Sequence, residues 1–273
     1  MKNKLYFLIV FLLLLNTALI AQDEQQSADD LAAKLNNPSA AIGTLNTFID
    51  FMSYQGSLPD ADAQTSWTLT FQPSLPKPLG ESGINLLFRP AIPIILNQPL
   101  PTVNGFENSG FQFGNIGFDM ALGTTTKKGI LLMGGLAGTL PTASNESMRA
   151  QWAFGPEAAV GFISKKIILG ILVSQKWDVE SGPRKTSVFG GQYFYFIPIG
   201  KGRTIGASPS YSYDWETKDF TLPLGIGYSS VTKIGSMPFK YGLSAAYSVA
   251  SPDTFGSVWQ IRLQLSPVVN LPW

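Results

Sequence analysis

Repeated alternation of apolar and polar residues is the feature that most constrains the fold of this chain. Near residue 70, the apolar Trp67, Leu69 and Phe71 are separated by the polar Thr68 and Thr70. Successive side chains of a β-strand point to opposite faces, so this two-residue period predicts strands with one apolar and one polar face. Comparable runs cover residues 205–215, 219–231, 238–249 and 257–267.

The polar face distinguishes two all-β folds that share this period, a soluble sandwich and a membrane barrel. Sandwich exteriors favour Lys, Glu and Thr, whereas this face consists mainly of Ser, Gly, Ala and Gln with an occasional single charge. Charged residues make up 14% of the chain, against about 25% in ordinary soluble domains. We therefore predict an all-β fold, a single antiparallel transmembrane β-barrel with lipid outside and a confined lumen inside.

Aromatic residues near the strand ends agree with this prediction, because membrane barrels carry aromatic girdles on both sides of their lipid-facing band. The residues in question are Tyr54, Trp67, Trp152, Trp177 and Trp215.

The alternating runs predict about twelve strands. An even number places both termini on one side of the membrane, and short turns then alternate with longer outer loops. The sequence follows this rule, with short connections at 164–165 and 200–202 and long ones at 55–64, 98–109 and 141–150. The predicted strands are residues 44–54, 65–76, 83–95, 109–122, 129–140, 151–163, 166–177, 186–198, 203–215, 219–231, 238–249 and 257–267.

The first 21 residues have the composition of a secretory signal peptide. Lys2 and Lys4 precede an apolar run over residues 5–20, which ends at the small Ala21. An uncleaved membrane anchor is the alternative, but the run is short for a span of ~20 residues. We expect cleavage, export through the inner membrane and insertion into the outer membrane of a Gram-negative bacterium, where lipid contacts the strands.

Residues 22–43 form a separate segment before the predicted barrel, which extends over residues 44–273. Residues 27–30 resemble a helix-capping box with Asp in the place of Glu, and Leu31 and Leu35 share one helical face. A short N-terminal helix is therefore predicted. It would either plug the barrel or form a periplasmic leader, and the sequence does not favour one over the other.

Five short motifs occur in order over nearly the whole mature chain. They are Asp30-Leu31-Ala32-Ala33-Lys34-Leu35-Asn36-Asn37-Pro38, Asn85-Leu86-Leu87-Phe88-Arg89, Leu140-Pro141-Thr142-Ala143, Tyr213-Asp214-Trp215-Glu216 and Ser251-Pro252-Asp253. This set resembles a group of bacterial outer-membrane transporters, some of which carry the name neuromedin U. The group is in turn similar to barrels associated with meta-pathway phenol degradation. The resemblance implies a barrel and a transport function. Where the group tends to have Gly-Asp-Ile, this chain has Gly114-Asn115-Ile116, which implies that an acidic lumen group is missing.

Extending the alternation places eight charged side chains on the inner face of the predicted barrel. They are Asp50, Arg89, Asp119, Glu157, Lys176, Asp214, Lys240 and Arg262. In one interpretation they form pairs across a narrow lumen, because charges in a confined space are costly unless matched. In the other, Arg89 and Arg262 form a basic constriction with Asp50 or Asp214 opposite, which would filter ions as charged rings do in channels.

The residue types that are missing limit the chemistry. The chain has no cysteine, which excludes a lipoprotein anchor, disulfides and thiolate metal sites. It has no histidine, the usual general base and metal ligand. We therefore predict no cofactor, and the composition argues against an enzyme. Signal cleavage leaves 17 basic and 18 acidic residues, and this balance gives no basis for binding nucleic acid.

Two function classes therefore compete with each other, a transporter or narrow channel and a closed structural or adhesive barrel. A twelve-stranded barrel lies between a small barrel filled by side chains and an open porin of ~16 strands. A narrow or gated path is expected on this ground. Its cargo would be a small apolar or aromatic solute, or ions.

The pairs Gly134-Gly135 and Gly190-Gly191 lie inside strand patterns and indicate close packing rather than a nucleotide site.

Overall fold

The computed structural model describes residues 28–180 and 185–273, which form a closed antiparallel barrel of twelve strands. The predicted signal peptide, residues 1–21, and Ser27 of the predicted capping box lie outside these ranges. The strands are β1 Gly43–Gln55, β2 Thr65–Pro78, β3 Asn85–Asn97, β4 Ile116–Thr125, β5 Ile130–Leu140, β6 Ala153–Ile163, β7 Ile168–Asp178, β8 Ser187–Gly200, β9 Arg203–Ala207 with Ser210–Asp214, β10 Phe220–Ile234, β11 Met237–Ala250 and β12 Gly256–Val269. Within the described ranges, no helix is long and apolar enough to cross a membrane.

Each strand pairs with its neighbours in the sequence, and β12 returns to β1 through pairs such as Gly43↔Val269. Closure pairs the strand edges that would otherwise be open to association with other chains. Connections at one end of the barrel are short, as at 201–202, whereas those at the other end are longer, as at 98–115. We call these ends the turn end and the loop end. Gly43 and Val269, where the wall begins and ends, both lie at the turn end.

The predicted strand number is confirmed, and eleven of the twelve strands begin and end within three residues of the prediction. The exception is β4, which was expected from residue 109 but begins at Ile116. The preceding segment contains a loop hairpin, Pro99–Thr102 paired with Gly105–Asn108, and the short strand Gln112–Phe113 against β3. The two residues between these short strands are Val103 and Asn104, and Gly105 follows them with a positive φ of 118°.

Strand β9 was predicted as continuous, but Ser208 and Pro209 interrupt it. Proline has no backbone N–H to donate to a ladder and is confined to edges and irregular positions of sheets. As a result, β9 pairs with β10 only at residues 203–205 and 212–213. The carbonyl groups of β10 between these two stretches need other donors.

Two tyrosines on β8 supply those donors from across the gap. The Tyr193 hydroxyl donates to the carbonyl oxygen of Pro223 at 2.8 Å, and the Tyr195 hydroxyl donates to that of Gly225 at 2.7 Å. Pro223 and Gly225 are two residues apart, so their carbonyl groups point to the same strand edge. The tyrosines therefore bridge β8 to β10 over the interruption in β9.

The outer face of the barrel is apolar. Leu224, Ile226 and Leu243 are 54%, 61% and 58% exposed, as expected of side chains that face lipid. Trp67, Trp152, Trp177 and Trp215 are also exposed and all lie near the loop end. Their positions agree with the predicted aromatic girdle.

Tyr54 differs from these tryptophans, and its assignment to the girdle is wrong. Its hydroxyl lies 2.9 Å from the Ser66 hydroxyl on the polar face of β2. Its ring stacks on Phe255, with 4.6 Å between the ring centroids. Tyr54 shares the strand face of Asp50 and Met52, and the ladder of β1 with β2 is regular through Met52 and Ser53, so simple alternation already places Tyr54 on the inner side.

The inner wall from β3 to β8 carries an apolar cluster toward the turn end. It consists of Leu87, Ala121, Leu131, Met133, Ala159, Ile168, Leu172 and Phe194. The predicted short helix is present at residues 28–35, and Ala33 of this helix packs against the cluster. The helix therefore lies inside the barrel.

Candidate functional site in the barrel lumen

Residues 28–42, which we call the luminal segment, are hydrogen-bonded to the wall at the turn end. The Asp29 carboxylate accepts from the backbone N–H of Gly202 at 2.6 Å, in the turn between β8 and β9. On the β3–β4 side, the Ser39 hydroxyl lies 2.8 Å from that of Thr125, and the Asn85 amide donates to the Ser39 carbonyl at 2.8 Å. Contacts on different sides of the barrel thus fix the segment.

The most buried contact of the luminal segment involves Lys240 on β11. Its ammonium group donates to Asn36 Oδ1 at 2.6 Å, and the Asn36 amide donates to the Thr204 hydroxyl at 3.3 Å. Lys240 is 6% exposed, and neither ion pair found among the described residues includes it. The Phe196 ring, 5.4 Å away, adds a cation–π contact. A neutral oxygen and an aromatic face therefore compensate this buried charge.

Lys240 was predicted to line the lumen, but no contact with it was predicted for Thr204 or for Asn36, which lies in the first of the five motifs. Asn36 follows the helix directly and Thr204 occupies an ordinary position in a strand. Polar residues are common after helices and in strands, so residue type alone does not predict this contact. Their role depends on how the luminal segment docks, which is a property of the folded barrel.

Arg89 and Asp119 form an ion pair between adjacent strands. They are opposite each other in the β3–β4 ladder, and Arg89 Nε donates to Asp119 Oδ2 at 2.6 Å. Both side chains are mostly buried. The pair lies along the wall, and the charges of the carboxylate and the guanidinium group compensate each other.

Asp50 and Arg262 form a second pair, where β1 meets β12. Arg262 donates to both carboxylate oxygens, through Nε at 2.7 Å and Nη2 at 2.9 Å, and Gln260 donates to the same carboxylate at 2.9 Å. The Phe48 ring centroid is 4.8 Å from the guanidinium carbon. A bidentate arginine with an aromatic contact is a rigid element of the wall.

Glu157 and Lys176 line one cavity without forming an ion pair. Lys176 donates to the Thr139 hydroxyl at 3.1 Å. Glu157 Oε1 is buried and has no hydrogen-bond partner among the described residues. Of the eight predicted lumen charges, these two therefore have the least compensation from their surroundings.

Asp214 has a different environment from the other seven residues. Its carboxylate accepts from the backbone N–H groups of Glu216 at 2.8 Å and Thr217 at 3.3 Å, at the loop end of β9. This is a side-chain-stabilised turn. Asp214 lines neither of the cavities described below.

Asn115 stabilises the loop-end connections rather than replacing a lumen acid. Its amide donates to the Met148 carbonyl at 2.7 Å, while Oδ1 accepts from the backbone N–H groups of Ala143 at 3.3 Å and Ala150 at 3.0 Å. An aspartate could not donate to Met148. The expectation that an acidic lumen group is missing here is therefore wrong, because this position does not face the lumen cavities.

Two adjoining cavities occupy the lumen. The first, of about 220 Å³, extends from the luminal segment to Arg262, and the second, of about 280 Å³, lies toward the loop end around Glu157. Arg89, Gln72 and Leu172 line both. Sites for drug-sized ligands usually measure ~300–1,000 Å³, so these cavities suit small solutes.

The observed ion pairs join neighbouring strands instead of crossing the lumen. Lumen charges are therefore paired in these two cases, but along the wall and not across the lumen as the first interpretation expected, while an ion filter made of Arg89 and Arg262 stays a prediction. Among the described residues, no group of three acidic side chains is arranged to hold a metal ion.

The chain matches no protein-family model and no curated protein. Among solved structures, the COG4313 outer membrane channel from Pseudomonas putida F1 aligns with a TM-score of 0.65 at 10% identity, over 84% of this chain and 96% of that chain. The chain has the fold of a bacterial outer-membrane β-barrel. At this level of identity the likeness concerns the course of the barrel wall, not the residues in the lumen.

Two further barrels align less closely. The anion-selective porin from Comamonas acidovorans has a TM-score of 0.37 at 10% identity, over 83% of this chain and 97% of that chain. OmpT, an outer membrane protein of Vibrio cholerae, has a TM-score of 0.40 at 8% identity, over 84% of this chain and 96% of that chain. Neither alignment bears on what this barrel carries.

Proposed function

We propose that the protein is a non-enzymatic outer-membrane channel for small solutes, narrowed at the turn end by the luminal segment. The twelve-stranded wall and its exposed apolar face support a location in lipid. The resemblance to the outer-membrane transporters named neuromedin U and to the meta-pathway barrels agrees with transport. A small apolar or aromatic solute suits the apolar cluster and the size of the cavities.

The alternation of short and long connections supports an orientation. In membrane barrels of this kind, the short turns face the periplasm and the longer loops face outward. The luminal segment would then close the periplasmic mouth, after cleavage of a signal peptide that precedes it. The outer loops and the tryptophans near them would lie at the external interface.

The observation that carries this proposal is the hydrogen bond between Lys240 and Asn36. It joins the luminal segment to the wall inside the barrel, where the segment reduces the open cross-section. The bond is short and buried, so the segment is a fixed part of the lumen. A bound segment of this kind is expected to limit the current of ions and the flow of solutes.

Single-channel recording tests the proposal. The mature protein and a variant lacking residues 22–41, which leaves β1 intact, are each refolded into a planar lipid bilayer in salt. We expect small discrete current steps from the mature protein and larger steps from the shortened variant, because removal of the segment widens the narrowest part. Heat-dependent electrophoretic mobility verifies that both barrels are folded.

A substitution tests the same contact without removing any backbone. Lys240→Met removes the donor to Asn36 and should increase the time spent in larger current levels. Lys233→Met is the matched control, because Lys233 is exposed near the turn end and should leave the current unchanged. Equal steps from the mature and shortened proteins would show that the segment does not limit the pore. Folded protein that gives no current in either form would favour a closed structural or adhesive barrel.

A further inference from the structure

Glu157, which lines the second lumen cavity, has a buried carboxylate oxygen without a partner. Glu157 is 6% exposed, and its Oε1 accepts no hydrogen bond from the described residues. Its ladder neighbours are Gly135, which has no side chain, and Ser174, whose hydroxyl donates to the Gly190 carbonyl at 3.5 Å. Buried acceptors are normally satisfied, so the Glu157 carboxylate, whose side chain lines the cavity, has capacity for a further donor.

The charged neighbours of Glu157 are already engaged or lie too far away. Arg89 is bound to Asp119 at 2.6 Å. Lys176 donates to Thr139 at 3.1 Å and lies beyond ion-pair distance of Glu157. Two acids and two bases make this group of side chains neutral overall. A further net charge in the confined lumen would need its own compensation, so a neutral donor is favoured over a cation.

The walls of the cavity are partly apolar. Leu172 and Val188 line it together with Glu157 and Lys176. Its volume of about 280 Å³ is below the range of ~300–1,000 Å³ that is usual for ligand sites. A suitable occupant is therefore small and combines an apolar body with one polar group.

We propose that this cavity is a binding subsite for small neutral solutes that carry a hydroxyl group on an apolar body. The hydroxyl hydrogen is donated to the Glu157 carboxylate, whose side chain lines the cavity, and N–H groups of Lys176 that do not bind Thr139 donate to the hydroxyl oxygen. The proposal rests on the channel function above and specifies the class of solute. A polar group that a site is built to hydrogen-bond gives strong discrimination against analogues that lack it.

Binding of three probes of similar size tests the proposal. Cyclohexanol carries a hydroxyl donor, cyclohexanone carries only an acceptor, and cyclohexylammonium carries a cationic donor. Their dissociation constants are measured by saturation-transfer NMR on the mature protein in lipid nanodiscs. We expect cyclohexanol to bind most tightly, and Glu157→Leu to weaken it by about tenfold, as for loss of a hydrogen bond to a charged group. Cyclohexanone binding should change little.

Two further variants keep the test decisive. Glu157→Gln retains the shape of the side chain, so it reports on the subsite even where Glu157→Leu does not fold, and it should also weaken cyclohexanol relative to cyclohexanone. Glu107→Gln, on the loop hairpin, should bind all probes as the native protein does. Unchanged cyclohexanol affinity in both Glu157 variants would overturn the proposal, as would tighter binding of cyclohexylammonium. Because binding is measured without current, a barrel that binds cyclohexanol but does not conduct would reject the channel and keep the subsite.

Discussion

Asn115 and Asp214 each organise a connection at the loop end through hydrogen bonds from their side chains to the backbone. Asn115 both donates and accepts, whereas the Asp214 carboxylate only accepts, from the N–H groups of Glu216 and Thr217. An amide and a carboxylate of the same shape are therefore not interchangeable at position 115.

We predict that Asn115→Asp loosens the segment from residue 141 to residue 152. The substitution replaces the donor to Met148 by an oxygen that faces another oxygen, and loss of a partner for a mostly buried group destabilises by about 1–3 kcal/mol. Limited proteolysis of the folded barrel should show faster cleavage in this segment. Asn108→Asp is the matched control, because Asn108 Oδ1 only accepts, from the Gly110 N–H at 2.8 Å. Equal cleavage rates in both variants would show that the Asn115 donor is not needed.

The sequence predicted the faces of the lumen side chains but not their partners. Alternation placed Asp50, Arg89 and Lys240 on the inner face, because the two-residue period determines the face of a side chain in a regular strand. It did not reveal which partners they have, since ion pairs and the contact with Asn36 depend on strand register and on docking of the luminal segment. Tyr54 was misassigned because its place near a strand end was considered without its face, although alternation from Asp50 puts it on the inner side.

Among the elements, β9 departs most from a regular strand. Pro209 interrupts its ladder with β10, and the hydroxyl groups of Tyr193 and Tyr195 bind carbonyl oxygens on the far side of the gap. Gly206 within this region has φ of 157°, and a Cβ there would lie 2.0 Å from the Tyr195 carbonyl oxygen. Because the two tyrosine hydroxyl groups replace missing ladder hydrogen bonds, side chains help to close the wall at this point.

We predict that Tyr193→Phe and Tyr195→Phe each lower the free energy of unfolding by about 1 kcal/mol, the net contribution of a typical hydrogen bond. Their effects should be close to additive because they bind separate carbonyl groups. Urea titration of the barrel in lipid vesicles measures the change. Tyr247→Phe is the matched control, since the Tyr247 ring packs on Trp259 and the substitution leaves this contact in place. A doubly substituted barrel as stable as the control would mean that the gap needs no bridging donors.

At this scale the sequence predicted strands well and irregularities poorly. Eleven strands were located closely because lipid on one face and lumen on the other impose a two-residue period. Pro209 was visible in the sequence, and its missing N–H would have indicated the break in β9. Asn104 and Gly105 are residue types common in turns and would have indicated a turn before residue 109. The bridging role of Tyr193 and Tyr195 could not be predicted, because it depends on the width of the gap.

The whole molecule is a barrel wall with an apolar outer face, around a lumen that the luminal segment partly fills. Strand number and closure followed from the sequence, but the place of the helix did not, because its residues fit both a plug and a periplasmic leader. The structure brings Ser39 next to β4. An ideal Cβ built on Gly123 would lie 3.3 Å from the Ser39 Cβ, slightly less than the ~3.5–4.5 Å that disulfides require. It would also lie 2.9 Å from Met133 Cγ and 3.0 Å from Leu87 Cδ1, so these flexible side chains must shift to admit it.

Cross-linking of Ser39→Cys to Gly123→Cys tests this placement most directly. The chain has no other cysteine, so mass spectrometry of the oxidised, folded protein reports only the introduced pair. We predict a nearly complete internal disulfide in this variant. Little disulfide should form in the control Ser39→Cys with Gly225→Cys, because the neighbours of Gly225 are Ala246 and Ala207. Free thiols in both variants would contradict the account, because the luminal segment would then lie away from the wall of the barrel.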